Sequence, residues 1–247
     1  MNCKEEERRT ARLLGTGALE RLHGAHVAVF GVGGVGGYVC EALARMGVGA
    51  LTVIDADTVS LSNINRQSVA LHSTVGRRKV DVMRERILDI NPDCRVTAIA
   101  EFYLPENADR FPLAEYDYVV DATDTVKAKI ELAVRTTALG VPFLSAMGAG
   151  NKLNPTRFAV TDLAKTSGCP LARVMRVELR RRGIRHLTVA YSSEPAAPAA
   201  EDAPEADAKG TAGRPAPGSL PYVVGSEGLL IAGEVVRTLI RTDAEKG

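Results

Sequence analysis

The stretch His26-Val-Ala-Val-Phe30, followed directly by Gly31-Val-Gly-Gly-Val-Gly36, decides the fold. Its first five residues form a short apolar run, which is typical of a buried parallel strand. Gly31, Gly33 and Gly36 then give the pattern G-x-G-x-x-G, which predicts a tight turn between a strand and a helix. Such a turn brings backbone N–H groups close to a phosphate at the positive end of the helix. The stretch therefore predicts a nucleotide-binding α/β domain.

Helical and strand patterns alternate on both sides of this turn. We predict helices over residues 8–22, 37–46, 76–90 and 127–139, and strands over residues 26–30, 51–54, 95–100, 116–121 and 142–145. Strands that alternate with helices favour a mostly parallel sheet covered on both faces. The predicted fold class is α/β, a Rossmann-like doubly wound sheet with flanking helices and a C-terminal extension.

The last third of the chain has a different composition. Residues 162–182 carry stretches with helical patterning, and an apolar helix is predicted over residues 223–240. Between them, residues 194–221 are rich in Pro, Ala, Gly, Asp and Glu, so they cannot bury enough apolar surface to offset their ordering entropy. We expect a single domain over residues 8–240 that contains a disordered loop at 194–221.

The composition sets limits on the environment of the chain. It has 247 residues, a net charge of +1, and four widely spaced cysteines with no C-x-x-C pair. This spacing argues against a zinc ribbon or a disulfide framework. The charged N-terminus does not look like a signal peptide, and no uncharged apolar run reaches the roughly 18 residues of a membrane span. We therefore expect a cytoplasmic protein with no membrane span.

Residues after the second and fourth predicted strands help to identify the nucleotide. Asp55 lies 19 residues past Gly36, where a carboxylate can accept hydrogen bonds from ribose hydroxyls. Taken alone, this fingerprint favours NAD. Arg66 and Lys79 then supply two cations, which a triphosphate needs and a dinucleotide needs less. The plainer alternative is that both are solvated surface charges.

Asp121-Ala-Thr-Asp124 follows the fourth predicted strand. The carboxyl edge of a doubly wound sheet is where such folds bind ligands. Asp124 is therefore a candidate to hold Mg²⁺ on bound phosphates, and its alternative role is a helix N-cap. Together with Arg66 and Lys79, it favours ATP over NAD.

These motifs resemble the adenylation domain of the ubiquitin-activating (ThiF/MoeB/HesA) superfamily. The resemblance implies that Gly34 and Asp55 contact the adenosine half of ATP and that Asp124 binds Mg²⁺. It also assigns catalysis to Arg66, Lys79 and Asp124. The nucleotide-binding residues that it implies are Arg12, Gly31, Gly33, Gly34, Gly36, Asp55, Asp57, Asn63, Asn65, Arg66, Gln67, Lys79 and Asp124. Of these, Arg12 resembles an arginine that reaches the partner's site across a dimer.

Within that superfamily, the chain is most similar to the tRNA threonylcarbamoyladenosine dehydratases. The stretches that carry this similarity are Thr10–Gly15, Glu41–Gly47, Asn63–Gln67, Ile90–Val96, Gly148–Gly150 and Val160–Thr166. Such enzymes use ATP to convert N6-threonylcarbamoyladenosine at position 37 of tRNA into its cyclic form. The resemblance implies ATP and Mg²⁺ as cofactors and modified tRNA as substrate. It also implies a homodimer and leaves a sulfur-relay protein as a further partner.

Two other features of the last third bear on function. Six arginines cluster in one predicted helix and its exit, and we interpret them as a tRNA phosphate patch or as a solvated helix face. They are Arg173, Arg176, Arg180, Arg181, Arg182 and Arg185.

Cys169 is the only cysteine in a plausible loop. Nothing nearby in the sequence lowers its pKa, which favours a buried or capping cysteine over a nucleophile.

Three alternative functions stay open from the sequence. The first is an adenylating activator of a small sulfur-carrier protein, which the absence of C-x-x-C pairs disfavours. The second is an NAD-dependent oxidoreductase, which leaves Arg66, Lys79 and Asp124 without a role. The third is a nucleotide-binding sensor that binds ATP without catalysis.

Overall fold

A computed structural model of the chain describes residues 4–200, 202 and 217–241. Its centre is a seven-stranded sheet in the order β3-β2-β1-β4-β5-β7-β6. Only β6 runs antiparallel to its neighbour, so the sheet is mostly parallel. The strands are β1 (His26–Phe30), β2 (Ala50–Ile54), β3 (Arg95–Ile99), β4 (Tyr118–Asp121), β5 (Phe143–Ala146), β6 (Phe158–Asp162) and β7 (Thr188–Ser192). The predicted fold class is confirmed.

Helices cover both faces of this sheet. They are α1 (Arg8–Leu14), α2 (Thr16–Gly24), α3 (Gly36–Arg45), α4 (Lys79–Ile90), α5 (Val126–Leu139), α6 (Pro170–Arg181) and α7 (Pro221–Leu239). Strand β1 shows how the two layers arise. Val27 and Val29 belong to the apolar core that also contains residues of α3, α4 and α7. Ala28 and Phe30 point to the opposite face, into a core shared with α5 and α6.

Two helix boundaries differ from the sequence prediction. The helix predicted over residues 8–22 is interrupted at Gly15, whose φ of +81° separates α1 from α2. The helix predicted from residue 76 begins at Lys79. Gly76 has a φ of +87°, and Arg78 is extended because it forms a β-bridge with Thr58.

Strands β6 and β7 are absent from the prediction. β6 is an edge strand with no fully buried residue, so it lacks the continuous apolar run that marks a central strand. It ends at Asp162, where helix was predicted to begin. The helical stretches read over 162–182 correspond to one short turn at Leu163–Lys165 and to helix α6.

The predicted disordered loop over residues 194–221 falls mostly outside the described residues. Its described ends both meet the loop after β5. Asn151 donates its backbone N–H to Gly218 O at 2.8 Å, and Asn151 O accepts from Ala197 N at 2.8 Å. Helix α7 then begins at Pro221, two residues before its predicted start.

Candidate functional site

The glycine turn is shaped by two positions at which a side chain would not fit. Gly31 has a φ of +91°, and a Cβ there would lie 2.5 Å from the carbonyl oxygen of Ala122. A Cβ on Gly36 would lie 1.8 Å from Gly31 O. Both spacings are far below van der Waals contact, so only glycine allows β1 to enter α3 through this turn. The turn therefore lies directly against the loop that follows β4.

A chain of polar contacts joins the turn to Lys79. Asp55 Oδ2 accepts a hydrogen bond from Val32 N at 2.7 Å, and Asp55 Oδ1 accepts one from Asp57 N at 2.8 Å. Lys79 Nζ then donates to Asp57 Oδ2 at 2.8 Å. The Lys79 side chain is only 7% exposed, whereas that of Asp57 is 52% exposed. Burial raises the pKa of Asp55, opposed by the charge of Lys79 and by the two backbone N–H groups.

The loop of residues 62–67 packs against the same turn. A Cβ built on Gly34 would lie 3.6 Å from the backbone oxygen of Arg66, and one built on Gly33 would lie 4.0 Å from Gln67 Nε2. Gln67 is buried, and its side-chain oxygen has no hydrogen-bond partner among the described residues. The structure thus places the Arg66 backbone against the glycine turn, and it links Lys79 to the turn through Asp57 and Asp55.

Within that loop, the polar side chains are held by protein oxygens. The Arg66 guanidinium donates to Ser62 O and to Asn65 Oδ1, both at 2.9 Å. Asn65 Nδ2 donates to Ser219 O at 3.0 Å, so the loop also contacts the segment that leads into α7. Asn63 is buried, and its side-chain oxygen accepts from Ser60 N at 3.2 Å. Part of the role of Asn63 is therefore local, within the loop.

A buried cluster orders the turn after β4. Asp121 accepts from the backbone N–H and the hydroxyl of Thr123 on one oxygen, at 3.0 and 2.7 Å. Its other oxygen accepts from Ser145 Oγ at 2.6 Å and from Lys129 Nζ at 3.1 Å. Lys129 also donates to Ala146 O at 2.7 Å. Because Asp121 and Lys129 are fully buried, this cluster fixes the course of the chain that leads to Asp124.

Asp124 itself is exposed, and its side-chain oxygen accepts a hydrogen bond from the neighbouring Thr125 hydroxyl at 3.3 Å. Among the described residues, no group of three His, Cys, Asp or Glu side chains could hold a metal ion. Mg²⁺ does not need such a group, because it is commonly bound by one or two carboxylates together with substrate phosphates and water. A single exposed carboxylate such as that of Asp124 is compatible with that arrangement.

The sequence analysis missed three buried polar residues beneath this edge: Lys129, Ser145 and Glu227. Glu227, on α7, has no hydrogen-bond partner for either carboxylate oxygen within the described part of the chain. Burial raises its pKa to about 8, opposed by the nearby charge of Lys129. The sequence does contain a signal for Glu227, because it is a carboxylate within the apolar helix predicted over residues 223–240. Lys129 and Ser145 had none, since neither stands out from its neighbours in the sequence.

Two further predicted residues, Arg12 and Cys169, lie on α1 and at the start of α6. Arg12 is exposed on α1, beside Leu13, which is 85% exposed. Cys169 is buried at the N-cap of α6, where its sulfur accepts from Ala172 N, so it has the capping position that the sequence favoured. None of the helices in the described ranges is long and apolar enough to cross a membrane.

The predicted arginine patch needs a correction. Arg176 is partly buried, and its guanidinium donates to Leu163 O at 3.0 Å and to Thr166 O at 2.8 Å. It therefore ties α6 to the turn after β6. It is not part of an open basic surface.

The fold and the converging site define a class of nucleotide-binding α/β proteins, and comparison with known sequences gives the family. The chain matches the ThiF family over residues 6–246, so it belongs to that family.

Individual relatives narrow the similarity. The tRNA threonylcarbamoyladenosine dehydratase of Bacillus subtilis is 42% identical over 233 residues, which cover 92% of each chain. The solved structure of the Escherichia coli tRNA N6-threonylcarbamoyladenosine dehydratase in complex with ATP aligns with a TM-score of 0.86 at 34% identity, and covers 100% of both chains. A complex of that enzyme with AMP aligns with a TM-score of 0.85. The predicted resemblance to these dehydratases is confirmed.

Proposed function

We propose that this chain is an ATP-dependent enzyme that converts N6-threonylcarbamoyladenosine at position 37 of tRNA into its cyclic, dehydrated form. The observation that carries the proposal is the convergence of the 62–67 loop and Lys79 on the glycine turn. Similarity to the dehydratases over the whole chain supports it, since one of them is solved with ATP bound.

In this proposal the nucleotide lies along the glycine turn. The turn supplies backbone N–H groups from Gly33 to Gly36, and Asp55 accepts from the ribose while it holds Val32 N. The triphosphate is contacted by polar and cationic side chains of the neighbouring loop and helix. These are Asn63, Asn65, Arg66, Gln67 and Lys79, with Asp57 holding the ammonium of Lys79.

The chemistry proceeds in two steps. A threonyl carboxylate oxygen forms a bond to the α-phosphorus of ATP, and the bond to the β-phosphate oxygen breaks, which releases pyrophosphate. An atom of the carbamoyl group then attacks the activated carbonyl carbon and expels AMP, which keeps the carboxylate oxygen. The second step is intramolecular, and good orientation can be worth roughly 7–11 kcal/mol of the barrier. No enzyme thioester is needed, which is consistent with the buried, capping position of Cys169.

The metal and the partners complete the proposal. Asp124 would hold Mg²⁺, which would offset the charge of the phosphates. A homodimer in which Arg12 serves the partner's site follows from the family resemblance, as does a sulfur-relay protein as an additional partner. A cytoplasmic location suits a tRNA substrate.

The competing functions predict different ligands and different reaction products. An activator of a sulfur-carrier protein exchanges pyrophosphate only with its carrier, an oxidoreductase binds NAD, and a sensor releases no pyrophosphate. The test is to incubate the purified chain with ATP, Mg²⁺ and modified tRNA, and to measure AMP and the tRNA nucleosides by mass spectrometry. We expect the cyclic nucleoside and AMP in equal amounts.

Two variants test the assigned roles. Arg66→Ala and Asp124→Ala should each abolish AMP release, because each removes charge stabilisation of the phosphates; loss of one such contact typically costs about 10²–10³ in rate. Lys127→Ala, an exposed cation on α5, is the matched control and should keep full turnover. Full AMP release in both site variants would overturn this mechanism.

A further inference from the structure

Five of the six arginines on α6 and its exit fall into two groups, and the sixth, the exposed Arg173, does not line the groove described below. Those in the first group are already engaged. Arg181 and Arg182 both pair with the Glu178 carboxylate, at 2.7 and 2.8 Å, and Arg176 binds backbone oxygens. These three guanidiniums have limited capacity to hold a further anion.

Arg180 and Arg185 form the second group. Both are exposed, and neither guanidinium has a hydrogen-bond or ion-pair partner within residues 4–200, 202 and 217–241. They line a groove of about 440 Å³ together with Ala164 and His186. We call these four residues the basic groove. Its histidine is paired with Asp162 at 2.7 Å, which leaves the two arginines as its unneutralised charges.

The basic groove lies several strands away from the glycine turn. It sits beside Asp162 and the start of β7, since Asp162 is paired with Thr188. Strands β4 and β5 lie between β7 and β1, the strand that leads into the turn. Strands β1 and β7 are therefore three strand spacings apart, roughly 14 Å at about 4.8 Å per spacing.

We propose that the basic groove binds backbone phosphates of the tRNA at a distance from the modified adenosine. This inference rests on the proposed function, which supplies a long polyanion as substrate. Two unpaired guanidiniums in a concave surface suit phosphate oxygens, because each can donate two parallel hydrogen bonds. A remote anchor of this kind contributes binding energy without touching the reacting atoms.

The test compares two double variants that remove the same charge from neighbouring positions. Arg180→Ala/Arg185→Ala removes both arginines from the groove, whereas Arg181→Ala/Arg182→Ala removes two arginines that share the Glu178 carboxylate. Modified tRNA is bound to each protein on filters at two salt concentrations. Losing two phosphate contacts should make affinity fall roughly tenfold less between about 50 and 200 mM salt than in the wild type. The control pair should keep the wild-type salt dependence.

The outcomes separate this inference from the function on which it rests. Conversion of modified tRNA by the wild type, with an unchanged salt dependence in Arg180→Ala/Arg185→Ala, overturns the groove and leaves the function standing. An equal change in both double variants also overturns it, because only total charge would then matter. A wild type that neither binds nor converts modified tRNA overturns the proposed function as well.

Discussion

At the scale of single residues, Asp121 and Glu227 are buried carboxylates whose hydrogen-bonding environments are opposite. Asp121 accepts four hydrogen bonds, one of them from the Lys129 ammonium, so its charge is compensated. Glu227 lies close enough to feel the charge of Lys129 but has no hydrogen-bond partner in the described structure. Lys129 is therefore committed to Asp121, and Glu227 must keep its proton to remain buried.

Glu227 makes the stability of the protein dependent on pH. Its folded pKa of about 8 lies above its ordinary value, so the folded chain keeps a proton that the unfolded chain releases. The contribution to stability is full below the unfolded pKa and is lost as the pH rises towards 8. Relative to the wild type, Glu227→Gln should therefore gain stability between about pH 5 and pH 8, at roughly 1.4 kcal/mol for each pKa unit spanned.

Urea unfolding of both proteins at several pH values measures this difference. Glu234→Gln, a change on the same helix at a carboxylate paired with Arg237, is the control and should show no such gain. Parallel stability curves for the wild type and Glu227→Gln would show that Glu227 is ionised in the fold.

At the scale of elements, the sequence predicts strands that are continuous apolar runs and site residues that lie next to them in the chain. Strands β1, β2 and β4 can be predicted because they are buried on both faces, and the glycine turn and Asp55 directly follow strand ends in the chain. β3 and β6 are both edge strands with no fully buried residue, but only β3 was predicted, because β6 runs directly into the helical patterning that begins at residue 162. Glu227 reaches the site only through the packing of α7, which comes after six of the seven helices.

The packing of α7 on α3 predicts opposite effects at two glycines of one helix. A Cβ on Gly228 would lie 2.6 Å from Val35 O and 2.8 Å from Tyr38 Cβ, whereas one on Gly233 would meet nothing within 4 Å. Gly228→Ala should therefore lower the free energy of unfolding by about 1–3 kcal/mol through overpacking. Gly233→Ala should raise it by up to about 1 kcal/mol through helix propensity. Thermal unfolding compares the two, and equal effects would contradict this packing.

At the scale of the whole molecule, the glycine turn after β1 and the basic groove beside β6 and β7 lie at different strands of one sheet. The sheet fixes their separation, so a tRNA that contacted both would have to extend across β4 and β5. The exposed α1 helix, with Arg12 and the apolar Leu13, is a further surface left for a partner. A second copy of the chain is the partner that the family resemblance implies.

If Arg12 serves the partner's site, two inactive variants should restore activity when they are mixed. The Arg12→Ala chain cannot supply Arg12 to the site of its partner. The Lys79→Met chain lacks a cation in its own site. In a mixed dimer, the site of the Arg12→Ala chain keeps Lys79 and receives Arg12 from its partner. Random exchange of subunits makes half of the dimers mixed, with one intact site of two, so AMP release should reach about one quarter of the wild-type rate. The assay needs unfolding and refolding of the mixture to exchange subunits, with each variant refolded alone as the control. If the mixture is no more active than its two components, Arg12 acts within its own chain or not at all. A monomer on size-exclusion chromatography would lead to the same conclusion.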